Sequence, residues 1–231
     1  MNIALLSMDG FLFALRWFHV FFGVIWIGLL YYFNFVQGPF FAETDAPTKS
    51  QAIQKLLPRA LWWFRWGAMF TLITGILLVT GRTHQGFSFA SSWGVNILTG
   101  MSLATVMWFN VWFIIWPNQK VVIASATQVA GGGTVIPEAA ACAAKAGLAS
   151  RTNVLFSIPV LFFMSAARNL NVTVDESSKF GLCAALIAIV ILGLEFNAIK
   201  GKTGPLTTVK GVIHCGFALA LVMYAIVEIT L

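Results

Sequence analysis

The sequence predicts an all-α, polytopic integral membrane helix bundle of about six transmembrane helices, with both termini outward (periplasmic). Three observations predict it. Hydrophobic residues make up 59% of the 231 residues and charged residues only 10%, against about 25% charged in a soluble domain. Six separate runs are apolar over roughly the 20 residues that a span needs. The cations are also distributed unevenly between the two sets of connections. This composition excludes a soluble enzyme, a disordered chain and a nucleic-acid module. The formal charge of +6 is the ordinary surplus of Lys and Arg at membrane edges.

The spans, in order, are Phe11–Phe35, Leu61–Gly81, Val95–Trp116, Asn153–Ala167, Phe180–Ile199 and Val209–Thr230. The opening run has no basic region before it, contains Asp9 early and is too long for the core of a cleaved signal peptide. Gly38-Pro39 and Pro47 are expected to end the first span, Pro58 to precede the second and Pro117 to stop the third. The fourth is the weakest, being short and carrying Pro159; a membrane helix tolerates proline where neighbours satisfy the freed carbonyl. Gly201 and Gly204-Pro205 separate the last two. The longest connection, 118–152, holds the flexible Gly131-Gly132-Gly133 turn and an alanine-rich stretch, Glu138–Ala149, which reads as a short surface helix. The whole chain reads as one membrane domain.

Ten of the fourteen Lys and Arg fall on the connections between spans 1–2, 3–4 and 5–6; Arg16, Arg82, Arg168 and Lys179 fall on the other side. The positive-inside rule then puts the long connection in the cytoplasm and the chain in a bacterial inner membrane.

Ionisable side chains at bilayer depth mark function by default. His19 lies in the first span with Arg16 at i−3 and Gly23 at i+4, one face of a helix. A small residue one turn from an imidazole leaves room for a flat macrocycle. An arginine one turn away can neutralise a propionate. Neutral imidazole is a usual axial ligand of a b-type haem. His214, in the sixth span, has Gly211 at i−3 and Ala218 at i+4, which gives the same reading. The two differ in expected depth by roughly 10 Å at 1.5 Å per residue, so they do not fit easily on one iron. His84, in Gly81-Arg82-Thr83-His84, is the alternative partner on the side nearer His19. Met69, Met101, Met107, Met164 and Met223 are sulfur candidates within the spans. The candidate haem-binding set is therefore His19, His214, Arg16 and Gly23, and the candidate metal ligands are His19, His214 and His84. Copper is the alternative metal, since imidazole and thioether both suit it.

Glu195 and Glu228 lie near span ends and read as snorkelling side chains. Asn34, Asn96 and Asn110 are candidates for bonds between helices. Most of the nine tryptophans sit toward span ends, as interfacial belts do; Trp26 could instead flank a cofactor. Cys142, Cys183 and Cys215 form no CxxC or CxxCH, which leaves no zinc knuckle or c-type haem attachment.

Several stretches carry a resemblance. They are Leu15-Arg16-Trp17-Phe18-His19-Val20 with Trp26-Ile27-Gly28, Trp62-Trp63-Phe64-Arg65-Trp66 with Thr74-Gly75, Trp116-Pro117-Asn118-Gln119-Lys120, and Ser150-Arg151-Thr152-Asn153 leading into Ser157-Ile158-Pro159-Val160-Leu161. In this order they resemble the N-terminal membrane domain of the bacterial membrane-bound, cytochrome-c-linked urate oxidases (urate hydroxylases). The resemblance implies a redox membrane subunit passing electrons to a periplasmic cytochrome c or a respiratory complex. With no CxxCH in these residues, urate-oxidase-like oxidoreductase chemistry would need a separate cytochrome c. The expected partners are membrane lipids, cytochrome c or other respiratory membrane subunits, with a homo-oligomer also open. The competing readings are a cofactor-free accessory subunit of a larger membrane enzyme and a copper-handling membrane protein.

Overall fold

The structure is a computed structural model that describes residues 3–231. Among these residues it is all-helical. Six helices are long and apolar enough to cross a membrane: α1 (Met8–Glu43), α2 (Ala46–His84), α3 (Ser92–Ala130), α4 (Ala139–Asn169), α5 (Phe180–Lys200) and α6 (Val209–Thr230).

Four of the six begin on a side-chain cap. The side chains of Ser7, Asp45, Ser91 and Thr208 accept from the backbone N–H of Gly10, Thr48, Gly94 and Gly211. Each satisfies a donor that the first turn leaves orphaned. The Asp45 carboxyl is held below the usual carboxylate range by the Thr48 N–H and then by the Thr48 hydroxyl.

The prolines do not end helices as the sequence suggests. Residues 32–37, 52–56 and 110–115 are wound as π-turns, and each precedes a proline by one or two residues: Pro39, Pro58 and Pro117. A proline removes one N–H and clashes with the carbonyl four residues back. Those carbonyls belong to Phe35, Gln54 and Phe113, inside the widened turns, where the i→i+5 pattern makes room. The first and third helices therefore run on to Glu43 and Ala130. The alanine-rich stretch read as a separate surface helix forms the opening turns of α4, which continues through Pro159 to Asn169.

α4 is the centre of the bundle. It packs on α1, α3, α5 and α6, while α1 lies mainly along α2. More than half of the α4 membrane window is buried, against 11% for α1. That explains why the fourth span is the weakest in sequence. Its solvent is protein, so Thr152, Asn153 and Ser157, all buried, can find partners there. The Tyr31 hydroxyl donates to Ser157 Oγ at 2.9 Å, because the Ser157 proton is spent on the Val154 carbonyl. Asn34 donates to Ser150 Oγ at 2.8 Å. These bonds tie α1 to α4.

α1 and α2 approach closely at Gly67, where an added Cβ would lie 3.2 Å from the Trp26 backbone nitrogen. Two residues before Gly67, the Arg65 guanidinium stacks 3.4 Å from the Trp116 ring centroid, a cation–π contact that joins α2 to α3.

Candidate functional site

Two candidate sites lie along the spans, one a cavity open at the surface of the bundle and one a buried polar cluster. The first is a cavity of about 590 Å3 bordered by α1, α2, α3 and α4. Its walls are almost wholly apolar. The volume falls within the roughly 300–1,000 Å3 usual for small-molecule and cofactor sites. Arg16, His19 and Gly23, the face read from the sequence, all border it, as do Trp26, Met101 and Met164. A Cβ added at Gly23 or Gly28 would meet nothing within 4 Å, so these glycines leave open space beside the histidine.

The hydrogen bonding around His19 fixes its chemistry. His19 Nδ1 lies 3.1 Å from Thr74 Oγ1. The single Thr74 hydroxyl proton is committed to its own helix, donated to the Phe70 carbonyl at 2.6 Å. The oxygen can then only accept, and Nδ1 must carry the ring proton. In the neutral ring Nε2 then keeps its lone pair free, the state in which a histidine ligates iron or copper. An imidazole whose other nitrogen donates to a fixed acceptor is the usual supporting arrangement of a metal-bound histidine. Gly75 completes the fit: a Cβ there would lie 3.0 Å from His19 Cε1, so the glycine lets the ring lie against α2. The donor set and the space both fit a haem ligated through His19.

His84 and His214 are both exposed and border no part of this cavity. His84 ends α2, nine residues beyond Gly75, or about 13 Å along the helix. Among the described residues, no group of three His, Cys, Asp or Glu side chains is placed to hold a metal ion. Met101 and Met164 share the cavity with His19, whereas Met107 and Met223 are fully buried core. Trp17, Trp62 and Trp63 are exposed on the outer surface, while Trp26 is 2% exposed and borders the cavity.

The second site is a buried amide–carboxyl cluster. Asn110, in the π-turn of α3, donates to Asn153 Oδ1 on α4 and to Glu195 Oε2 on α5, both at 2.9 Å. Asn153 in turn donates to the Met107 carbonyl at 2.9 Å. Asn110 and Asn153 are fully buried and Glu195 is 8% exposed. Glu195 therefore points into the bundle instead of snorkelling; exposed Glu228 instead accepts a short hydrogen bond from the Tyr224 hydroxyl. Of the three asparagines considered as links between helices, Asn34 and Asn110 make such bonds. Asn96 donates only to Ser92 of its own helix.

Reasoning from the sequence found Asn110 but missed the Thr74 contact and the Asn153 and Glu195 members of this cluster. A signal for the cluster was present in residue spacing. Asn110, Asn153 and Glu195 lie about 27, 24 and 22 Å from the ends of their helices that share one side of the bundle, at 1.5 Å per residue. Three polar residues at nearly equal depth on three helices are candidates to meet.

The family model described as urate oxidase N-terminal matches residues 82–227, well over half of the chain. The match takes in the Asn110–Asn153–Glu195 cluster and begins after α1 and most of α2. No match is found among curated proteins or among solved structures.

Proposed function

Because the chain belongs to the urate oxidase N-terminal family, we propose that it is a membrane-embedded redox subunit whose α1–α4 cavity binds a b-type haem. The observation that carries this reading is the setting of His19: Nδ1 lies 3.1 Å from Thr74 Oγ1, whose proton goes to the Phe70 carbonyl, and the residue borders an apolar cavity. When bound, the haem supplies one-electron transfer. Each remaining role belongs to the chain. His19 Nε2 holds the iron. Thr74 fixes the ring and raises its basicity. Arg16, half-buried at the cavity edge, neutralises a propionate. The apolar walls keep water away from the site.

In this reading the chain sits in the bacterial inner membrane with outward termini, and a periplasmic cytochrome c or respiratory subunit takes the electrons. Met101 and Met164 favour a second reading, copper held by imidazole and thioether, because they border the cavity with His19.

The test is the visible spectrum and metal content of protein purified from haem-replete membranes. A Soret band that His19→Ala removes is expected. Copper without a Soret band would favour the second reading. Neither haem nor copper in pure, folded protein would overturn both and favour a cofactor-free accessory subunit.

A further inference from the structure

Glu195 is anomalous among the acidic residues. The chain has eight Asp and Glu; seven are exposed and only Glu195 is buried. Its sole hydrogen-bond partner among the described residues is the Asn110 amide. Two oxygens of the cluster are buried without any partner: Glu195 Oε1 and Asn110 Oδ1. Both are acceptors, so the cluster is short of one donor.

An ionised carboxylate with one hydrogen bond at this depth is costly. A proton on the carboxyl removes the charge and supplies the missing donor in one step. Calcium and magnesium need six or more oxygens, and two free oxygens fall far short. We propose that Glu195 and Asn110, braced by Asn153, form an intramembrane proton-binding site.

The packing around Glu195 supports a proton over a side-chain cation. α3 contributes no titratable side chain over residues 92–115. α4 contributes Arg151, half-buried, two residues before Asn153, with Nη1 unpartnered. α6 contributes His214 and Cys215 at the height of Glu195: Glu195 and His214 each lie about 7 Å from the helix ends that residues 201–208 join. His214 is exposed. None of these groups is hydrogen-bonded to Glu195. The proposal does not depend on a haem at His19.

The test is infrared spectroscopy of the full chain in lipid nanodiscs at neutral pH. One protonated-carboxyl C=O band is expected, shifted in D2O and absent in Glu195→Gln. Glutamine keeps the acceptor for Asn110, which favours folding. Should that variant fail to fold, 13C-glutamate in the wild-type chain must lower the frequency of the same band. Absence of the band, which would mean an ionised Glu195 paired with Arg151, overturns the proposal. So does a band that sodium or potassium abolishes at constant pH, which would mean a metal cation in the site.

Discussion

His19 and Glu195 are both ionisable side chains inside the bundle, and their surroundings differ in kind. His19 borders a cavity of about 590 Å3 with glycines beside it and one nitrogen free. Glu195 is buried and bonded to Asn110 across helices, and its cluster has two oxygens without a donor. The first arrangement leaves room for a large ligand beside an imidazole. The second leaves two acceptor oxygens that one proton could join. The family match divides the same way: it includes the Glu195 cluster and stops short of His19. Asn110, Asn153 and Glu195 all lie within the matched stretch, while the histidine cavity also depends on a helix outside it.

Four perturbations sharpen the contrast, from the largest expected effect to the smallest. Asn110→Leu leaves Glu195 and Asn153 both short of a partner in the interior; it should cost about 3 kcal/mol, read as a lower unfolding midpoint in denaturant titration. Adding Glu195→Leu should restore part of that loss, since removing both partners is milder than orphaning one. Gly75→Val puts bulk where a Cβ already lies 3.0 Å from His19 Cε1. It should cost about 1–3 kcal/mol, and any cofactor spectrum should shift while the Glu195 infrared band stays unchanged. Thr74→Val removes the acceptor for His19 Nδ1; stability should fall by about 1 kcal/mol and haem or copper affinity by roughly 10–100-fold, measured by titration into the apoprotein.

The smallest effect lies outside the membrane. Asp45 is held below its ordinary range when folded, so the stability that it contributes is present above the unfolded carboxylate range. That stability is lost as pH falls through the lower, folded value. Thermal unfolding between neutral and acid pH should show a slope that Asp45→Asn reduces, with neither interior site affected.

The six helices were legible in the sequence because apolar length is a composition signal. Their ends were less so. Pro39 and Pro117 read as stops, yet a π-turn before each lets the helix continue, and no residue pattern announces that widening. Arg16, His19 and Gly23 were legible as one face from their i−3 and i+4 spacing, and the cavity lies along that face. Thr74 was not, because its role depends on how α2 packs against α1. Glu195 was misread as snorkelling because it lies only five positions before Lys200; distance from a helix end says nothing of which way a side chain points. Asn153 was invisible for the same reason as α4 was weak: its polarity suits a helix surrounded by protein.

The most direct measurement pairs the two sites in one preparation. Visible and infrared spectra are recorded for the wild-type chain, His19→Ala and Glu195→Gln, all from haem-replete membranes. The account predicts that His19→Ala loses the Soret band and keeps the protonated-carboxyl band, and that Glu195→Gln does the reverse. A Soret band that persists in folded His19→Ala, or its absence from the wild-type chain, would contradict the haem reading at its base.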